Sequence, residues 1–389
     1  MRRWRSIVRL MVLSVATLGA LSVAAAAGGA NANANYHAVC PAAFAATHCY
    51  AEVVTDSNGN PAASTSPTGL SPSTIKSVYV FPTSLSAGAG ETIGIVDAYD
   101  DPTAESDLNV FSSQYGLPAC TTANGCFSKV NQTGGTSYPR SNAGWALEIS
   151  LDIEWAHAIA PGAKILLVEA SSNSFTNLLA AEDYAKTHAQ YVSNSWGGSE
   201  FSSEASYDSH FLESGVSFFV SSGDAGLPAE YPSASPNVIS VGGTTLNFLR
   251  NTGQFLSETG WSGSGGGCSA YETANPAQSS FSQYGQVNCG GKRATPDVSL
   301  DADPNSGVSV YDSTRYQGQS GWFTVGGTSA SSPMWAARSA DAGAVVNASY
   351  VYGSNIVYRD ITSGSNGASA LVGYDLVTGR GSWCASSCP

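Results

Sequence analysis

The sequence predicts an α/β fold, a mostly parallel central sheet flanked by helices. Three observations predict it. Short apolar runs alternate with segments of helical period between residues 92 and 241, and strands separated by helices pair in parallel, with both faces of the sheet covered. The runs end in polar turns, at Asp97, at Ser193 to Gly198 and at Ser221 to Asp224. The carboxyl ends of the strands are where such sheets carry their sites. Hydrophobic residues make up 42% of the 389 and charged residues only 12%, enough for one large core or two small ones.

The elements follow in order. Residues 1–34 read as a secretory signal peptide: Met1 to Arg9 is basic, Leu10 to Ala27 is apolar, and Ala32-Asn33-Ala34 offers a small-x-small cleavage site. Residues 35–68 are rich in Ala, Ser, Asn and Pro and are expected to form a loose arm. Residues 69–389 form the remaining domain. It opens with a short capped helix over Gly69 to Tyr79. Thr92 to Asp97 is a buried strand ending in an acid. Helical spacing covers Asp101 to Tyr115, and a second helix runs from Trp145 to Ile159, stopped by Pro161-Gly162. Lys164 to Val168, Tyr191 to Ser193, Val216 to Val220 and Val238 to Val241 are strands. Phe175 to Lys186 and Ser203 to Ser214 are helices. Residues 257–292 are rich in Gly and Ser and are expected as surface loops.

Composition excludes several classes of partner. The formal net charge is −13, and loss of the leader's four arginines takes it to −17. Nucleic acid and anionic membrane are poor partners for such a chain, and no later stretch is long and apolar enough to span a bilayer. Eight cysteines suit an oxidising compartment. They fall into local couples, Cys40 with Cys49, Cys120 with Cys126, Cys268 with Cys289 and Cys384 with Cys388. Eight cysteines allow 105 connectivities, so local pairing is one choice among many. A monomer is expected.

Three stretches carry chemistry. In Val325-Gly326-Gly327-Thr328-Ser329-Ala330-Ser331-Ser332-Pro333, Ser329 precedes a helix start, where free N–H groups and the dipole favour a developing negative charge. The bland alternative is a Ser-rich capping turn. In the helix from Trp145, Glu148 and Asp152 stand four apart and share a face. Their neighbours are apolar on every side, so the helix is buried and the two carboxyls should have raised, coupled pKa values. Asp224, in Ser-Ser-Gly-Asp-Ala-Gly after an apolar strand, is an ordinary turn residue or a protonated donor to an oxyanion.

Together these residues resemble the sedolisins, the serine-carboxyl peptidases of subtilisin-like fold. The resemblance runs from Gly69 to Gly381 and implies a three-layer subtilisin-like architecture. It makes Ser329 the nucleophile, Glu148 the base, Asp152 the acid behind the base and Asp224 the oxyanion acid. It also implies one Ca²⁺ near the C-terminus, in Asp360-Ile361-Thr362-Ser363-Gly364 and Gly373-Tyr374-Asp375. The implied ligands are the carboxylates of Asp360 and Asp375 and the carbonyls of Ile361, Leu371 and Gly373, an all-oxygen set that suits the ion. The implied function is secreted, extracellular hydrolysis of polypeptides at acidic pH through an acyl-enzyme. Substrate is expected to lie extended along Ser195-Trp196-Gly197-Gly198. Relatives carry a long folded propeptide, and only about 35 residues separate the leader from Gly69 here, too few for such a domain.

Two other functions remain open on the residues. A subtilase with a His-based triad shares the nucleophile turn, and Asp97 sits where its triad Asp would. It needs a His at a helix start and Asn at position 224. His157 falls near a helix end, and His188 and His210 read as surface residues. A catalytically decayed binding protein on the same fold is the third reading, and all four catalytic positions being filled speaks against it.

Overall fold

The computed structural model describes residues 35–41, 47–249, 252–353 and 355–384. The predicted leader and Cys388 lie outside these residues. At the centre is a ten-stranded sheet built from β1 (Thr92–Ala98), β2 (Phe127–Asn131), β3 (Lys164–Ala170), β4 (Tyr191–Asn194), β5 (Ser217–Ser221), β6 (Ile239–Phe248), β7 (Phe255–Gly260), β8 (Val298–Asp301), β9 (Val357–Arg359) and β10 (Ser382–Cys384). The order across the sheet is β9-β10-β8-β6-β5-β4-β1-β3-β2, with β7 paired to the far half of β6. Every pair from β10 to β2 is parallel, and only the β9 and β7 pairings are antiparallel.

Five helices matter to the site: α1 (Pro72–Tyr79), α2 (Ala104–Tyr115), α3 (Ala143–Ile159), α4 (Phe175–Ala185) and α5 (Thr328–Ala342). Side chains alternate along a strand, and β1 shows which helix covers which face. A Cβ placed on Gly94 would touch Ala185 and Ala189 at the end of α4, whereas the Asp97 side chain, of opposite parity, feels the charges of Asp152 and Glu148 on α3. Helices thus cover both faces, and the three-layer subtilisin-like architecture expected from the sequence is the one found. Ser71 caps α1 by accepting the Thr74 N–H, and Asn142 caps α3 by accepting from Gly144 and Trp145.

Three expectations change. Residues 35–41 and 47–68 are folded, not loose. Asn35–Ala38 pairs with Glu52–Thr55, which pairs with a ribbon made of Val308–Tyr316 and Gln319–Gly326. Cys49, Tyr50, Ala51 and Val53 are all buried. The expected helix over Ser203 to Ser214 is a 3-10 helix over Glu204–Phe211. Residues 257–292 are not all loop: β7, a strand at Gly267–Thr273 and a helical turn at Pro276–Ser279 lie there. Strand β2 and the 308–326 ribbon had no counterpart in the sequence reading. Three of the expected disulfides form, Cys40–Cys49, Cys120–Cys126 and Cys268–Cys289. The fourth couple, Cys384 with Cys388, falls partly outside the described residues.

Candidate active site

Helix α3 brings the acids. Every residue from Trp145 to Ile159 is buried, so Glu148 and Asp152 enter the core on a scaffold that cannot shed them to solvent. The Ser195 hydroxyl, just beyond β4, donates to Asp152 Oδ1 at 2.9 Å. Among the described residues, Asp152 Oδ2 and Glu148 Oε1 have no hydrogen-bond partner. Asp97 at the end of β1 is also fully buried, and neither of its oxygens is bonded.

Helix α5 brings Ser329. It is preceded by Gly327, whose φ of 91° is a conformation that side-chain-bearing residues rarely adopt. Pro333 lies in the sixth position of α5. It supplies no N–H to the Ser329 carbonyl, which faces the Ser195 hydroxyl at 3.5 Å instead. The Ser329 hydroxyl donates to the Ser195 carbonyl at 3.4 Å, and its nearness to Glu148 favours the charged form of that acid. The Ser329 N–H is in the first turn, where helices leave N–H groups without an internal partner.

Asp224, two residues after Ser222 and beyond β5, completes the group. Its Oδ1 accepts the Thr328 N–H and the Thr328 hydroxyl, both at 2.8 Å, while Oδ2 is buried and unbonded. Thr328 therefore fixes the orientation of Asp224, a role the sequence reading missed. A threonine directly before the serine was the available signal. Ser195, expected only as part of a substrate edge, turns out to bond Asp152.

The electrostatics are uniform. Burial is the largest cause in each case, and it drives the pKa values of Glu148, Asp152, Asp224 and Asp97 well above the ordinary carboxylate range. Asp152 adds to the shift of Glu148, Glu52 to that of Asp224, and Asp152 with Glu148 to that of Asp97. Burial with unbonded oxygens favours the neutral acid, while the interacting Glu148 and Asp152 lose their protons in two steps, so that one of the pair can be ionised while Asp224 stays protonated. Glu148 lies beside Ser329, Asp224 beside Thr328 and Asp152 beside Ser195, so groups able to accept, hold and donate protons gather at the start of α5.

The expected substrate edge is already occupied. Trp196–Ser199 is a strand, with His48–Cys49 antiparallel on one side and Glu230–Tyr231 on the other. Trp196 is buried, its indole N–H on the Val96 carbonyl at 2.9 Å. None of the three histidines considered for a triad joins the site. His157 is buried with one ring nitrogen 2.9 Å from the Pro118 carbonyl, His188 is exposed, and His210 pairs with Asp183. Among the described residues, His157 also forms a possible metal cluster with Cys120 and Cys126, but those two sulfurs are joined to each other.

The C-terminal loop brings its two acids to one turn. The Gly373 N–H donates to both oxygens of Asp360 at 3.0 Å, and the Leu371 N–H to Asp375 Oδ2 at 2.9 Å. Asp375 Oδ1 is bound by the Val377 and Thr378 N–H groups. Two carboxylates and a Gly-containing turn rich in carbonyls form an oxygen-only donor set, and that chemistry fits a Ca²⁺ ion.

The chain is similar to known peptidases. The model of the subtilase family matches residues 140–350, a span that holds Glu148, Asp152, Asp224 and Ser329. Kumamolisin from Bacillus sp. (strain MN-32) is 31% identical over 369 residues, covering 82% of this chain and 63% of that protein. Sedolisin from Pseudomonas sp. (strain 101) is 28% identical, covering 81% and 60%. The chain thus spans less than two thirds of the length of these relatives. Among solved structures, Pseudomonas sedolisin, a serine-carboxyl proteinase complexed with two molecules of pseudo-iodotyrostatin, superposes with a TM-score of 0.68 at 29% identity, covering 82% of this chain and 96% of that one. A psychrophilic protease, S41, shares the fold at a TM-score of 0.53 and 17% identity. The chain belongs to the subtilase family, and it is similar to the sedolisins.

Proposed function

We propose that this chain is a secreted serine-carboxyl endopeptidase that hydrolyses peptide bonds in acid. The observation that carries the reading is the free, buried Oδ2 of Asp224 beside Gly327 at the N-terminus of α5, with Ser329 two residues on and Glu148 alongside. Ser329 Oγ attacks the scissile carbonyl. Glu148 takes the hydroxyl proton and returns it to the leaving nitrogen. Asp152, held by Ser195, shares a proton with Glu148 and orients it. The Ser329 N–H and the protonated Asp224 bond the oxyanion. The base must lose its proton while Asp224 keeps one, so activity falls as pH rises and Asp224 ionises. With carboxyl groups in place of histidine, the working window lies in acid.

Polypeptides are the proposed substrates. The disulfides fit an oxidising, extracellular compartment, and no helix among the described residues is long and apolar enough to cross a membrane. One Ca²⁺ would be held by Asp360 and Asp375 with the carbonyls of Ile361, Leu371 and Gly373, where it would stiffen the loop that bridges to Gly260 at the end of β7.

Peptide hydrolysis followed from about pH 3 to about pH 7, for the wild type and Ser329→Ala, tests the reading. An acidic optimum abolished by Ser329→Ala is expected. An optimum near neutrality that depends on His157 would refute the carboxyl mechanism. Chelation should lower the melting temperature, and calcium alone should restore it; a melting temperature indifferent to both would remove the ion from the account.

A further inference from the structure

We propose that Glu204 and Glu272 are positioning residues: they clamp the far end of the Trp196–Ser199 strand by sharing protons with Glu200 and Asp208, and Ser195 at the near end keeps its place beside Ser329 only while the clamp holds. The clamp lies outside the acids of the site, and its effect on turnover rests on the peptidase reading above.

Three elements meet at the cluster. Glu200 follows the Trp196–Ser199 strand, Glu204 and Asp208 stand on the 3-10 helix Glu204–Phe211, and Glu272 lies on the Gly267–Thr273 strand. The Glu200 carboxyl crosses to that last strand, where the Ser269 hydroxyl donates to one oxygen and the Ala270 N–H to the other at 2.9 Å. Asp208 Oδ1 accepts the Tyr231 hydroxyl at 3.3 Å, and Tyr231 pairs with Gly198. Each of these two acids is also met by a second carboxyl. Glu204 lies within hydrogen-bond reach of Glu200, and Glu272 within reach of Asp208. Glu204 has no exposed surface and Glu272 only 4%. Among the described residues, no N–H or hydroxyl donates to Glu204 Oε1 or Glu272 Oε1, whereas Glu204 Oε2 accepts the Phe201 N–H at 2.7 Å. A buried, unbonded oxygen beside a second carboxyl is a place for a proton, because two adjacent carboxylates repel and neither is solvated.

The charges nearby do not replace those protons. Lys292, on the strand paired with residues 267–273, gives its Nζ to the Tyr271 carbonyl at 3.0 Å, and of the causes acting on Glu272 it is the weakest. On the other flank of the 3-10 helix, Lys186 and His210 both pair with Asp183. Among the described residues, no three of the acids bring oxygens close enough together to share one metal ion. Burial first, then the neighbouring carboxyls, push Glu204 up to about 8 and Glu272 to about 7, and burial raises Asp208 as well. Folded values above the ordinary carboxylate range make the clamp complete in acid and release it as pH rises through about 7 and about 8.

The strand carries the clamp to the site. Ser195 immediately precedes it, with its hydroxyl on Asp152 at 2.9 Å and its carbonyl accepting the Ser329 hydroxyl at 3.4 Å. At the far end Ser199 pairs with Glu230, whose carboxyl lies beside Gly223 and adds to the raised pKa of Asp224. The Ser195 end thus orients the serine and the acid behind the base, and the Glu200 end is tied to two other elements through carboxyl groups. Misplacing a catalytic group by about 1 Å costs up to about a hundredfold in rate, so a small sag of the strand is enough to register in kcat.

The test compares wild type with Glu204→Ala, Glu204→Gln and the double variant Glu204→Gln with Glu272→Gln. Glutamine keeps the shape, offers an N–H where the acid offers its proton, and does not titrate. Hydrogen–deuterium exchange, corrected for the intrinsic effect of pH, is followed over residues 201–211 and 267–273 from about pH 4 to about pH 9. Peptide hydrolysis in acid gives kcat per folded molecule and KM. In the wild type both segments should lose about tenfold or more of their protection between about pH 6 and about pH 9, while β1 stays level. The double variant should hold the acid level of protection throughout. Glu204→Ala should lower kcat in acid by about tenfold with little change in KM, and Glu204→Gln should restore it to within about twofold. Wild-type protection that stays level with pH overturns the shared protons. Wild-type kcat in folded Glu204→Ala overturns the positioning role. Both results leave the peptidase reading standing. A wild type that hydrolyses no peptide overturns that reading and the link to turnover with it, and exchange still decides whether the clamp exists.

Discussion

Asp297 and Glu148 are both fully buried acids of this chain, and their surroundings are opposite. Asp297 faces the Arg293 guanidinium, with Nη1 on Oδ1 at 2.6 Å, and it also accepts the Ser240 N–H at 2.7 Å and the Tyr352 hydroxyl. Arg293 is itself held protonated by that carboxylate. Among the described residues, Glu148 has no ion pair, one N–H on Oε2 and nothing on Oε1. Its remaining neighbours include two more acids, Asp152 and Asp224. The first arrangement compensates the burial of charge and ties β8 to its surroundings. The second leaves burial uncompensated, so the acid keeps its proton and stays chemically available. The contrast separates a structural acid from a reactive one by what its oxygens touch.

Glu148→Gln should break the comparison most visibly. It removes the ionisable oxygen while preserving shape, so turnover should fall by about a thousandfold or more, while the melting temperature stays level or rises. Stopped peptide assays and thermal melts on the same sample check both halves. A large loss of stability with activity retained would assign Glu148 to structure.

Arg293→Met should do the reverse. It leaves Asp297 buried without its cation, which costs on the order of 3–5 kcal/mol. Denaturant unfolding should show that loss, and the folded fraction should keep its specific activity. A neutral effect on stability would mean that Ser240, Gln278 and Tyr352 satisfy Asp297 without the cation.

Other buried acids set the direction of pH dependence. Burial pushes Glu52 up to about 7, Glu169 and Glu182 to about 8 and Asp312 to about 9. A folded-state pKa above the unfolded value means that the folded state binds the proton more tightly. Its contribution is complete below the ordinary carboxylate range and is lost as pH rises through the folded values. The melting temperature should therefore be highest in acid and fall by several degrees between about pH 5 and about pH 8. A melting temperature that rises over that range would contradict the neutral state of these groups.

The acids were readable because α3 is apolar on every side: a helix that buries all its faces and still contains Glu148 and Asp152 has a reason to keep them. The alternating strands from Thr92 to Val241 were readable because each is a local pattern. What escaped was long-range pairing. His48–Cys49 meets Trp196 only through the fold, and the 308–326 ribbon and the residues between 257 and 292 are too rich in Gly, Ser and Thr to show a period. The same blindness made residues 35–68 look like a loose arm and Ser195 to Gly198 look like a free edge, when each is the other's partner. The position of Asp224 was visible in sequence. Its dependence on the Thr328 N–H and hydroxyl was not.

Asp97 gives the smallest and finest test. It is buried at the end of β1 with both oxygens unbonded, facing Asp152 and Glu148. Burial first, and the neighbouring acids after it, hold it protonated. A protonated Asp and an Asn are both neutral and nearly equal in shape, so Asp97→Asn should change kcat/KM by less than about threefold in acid. The difference should appear only on the alkaline side, where the native acid begins to ionise and the amide does not. A loss of more than about tenfold across the whole pH range, with a shifted acid limb, would instead mean that Asp97 acts as a charged neighbour. It would then orient Asp152 through the core, and the line between reactive and structural acids would have to be redrawn to include it.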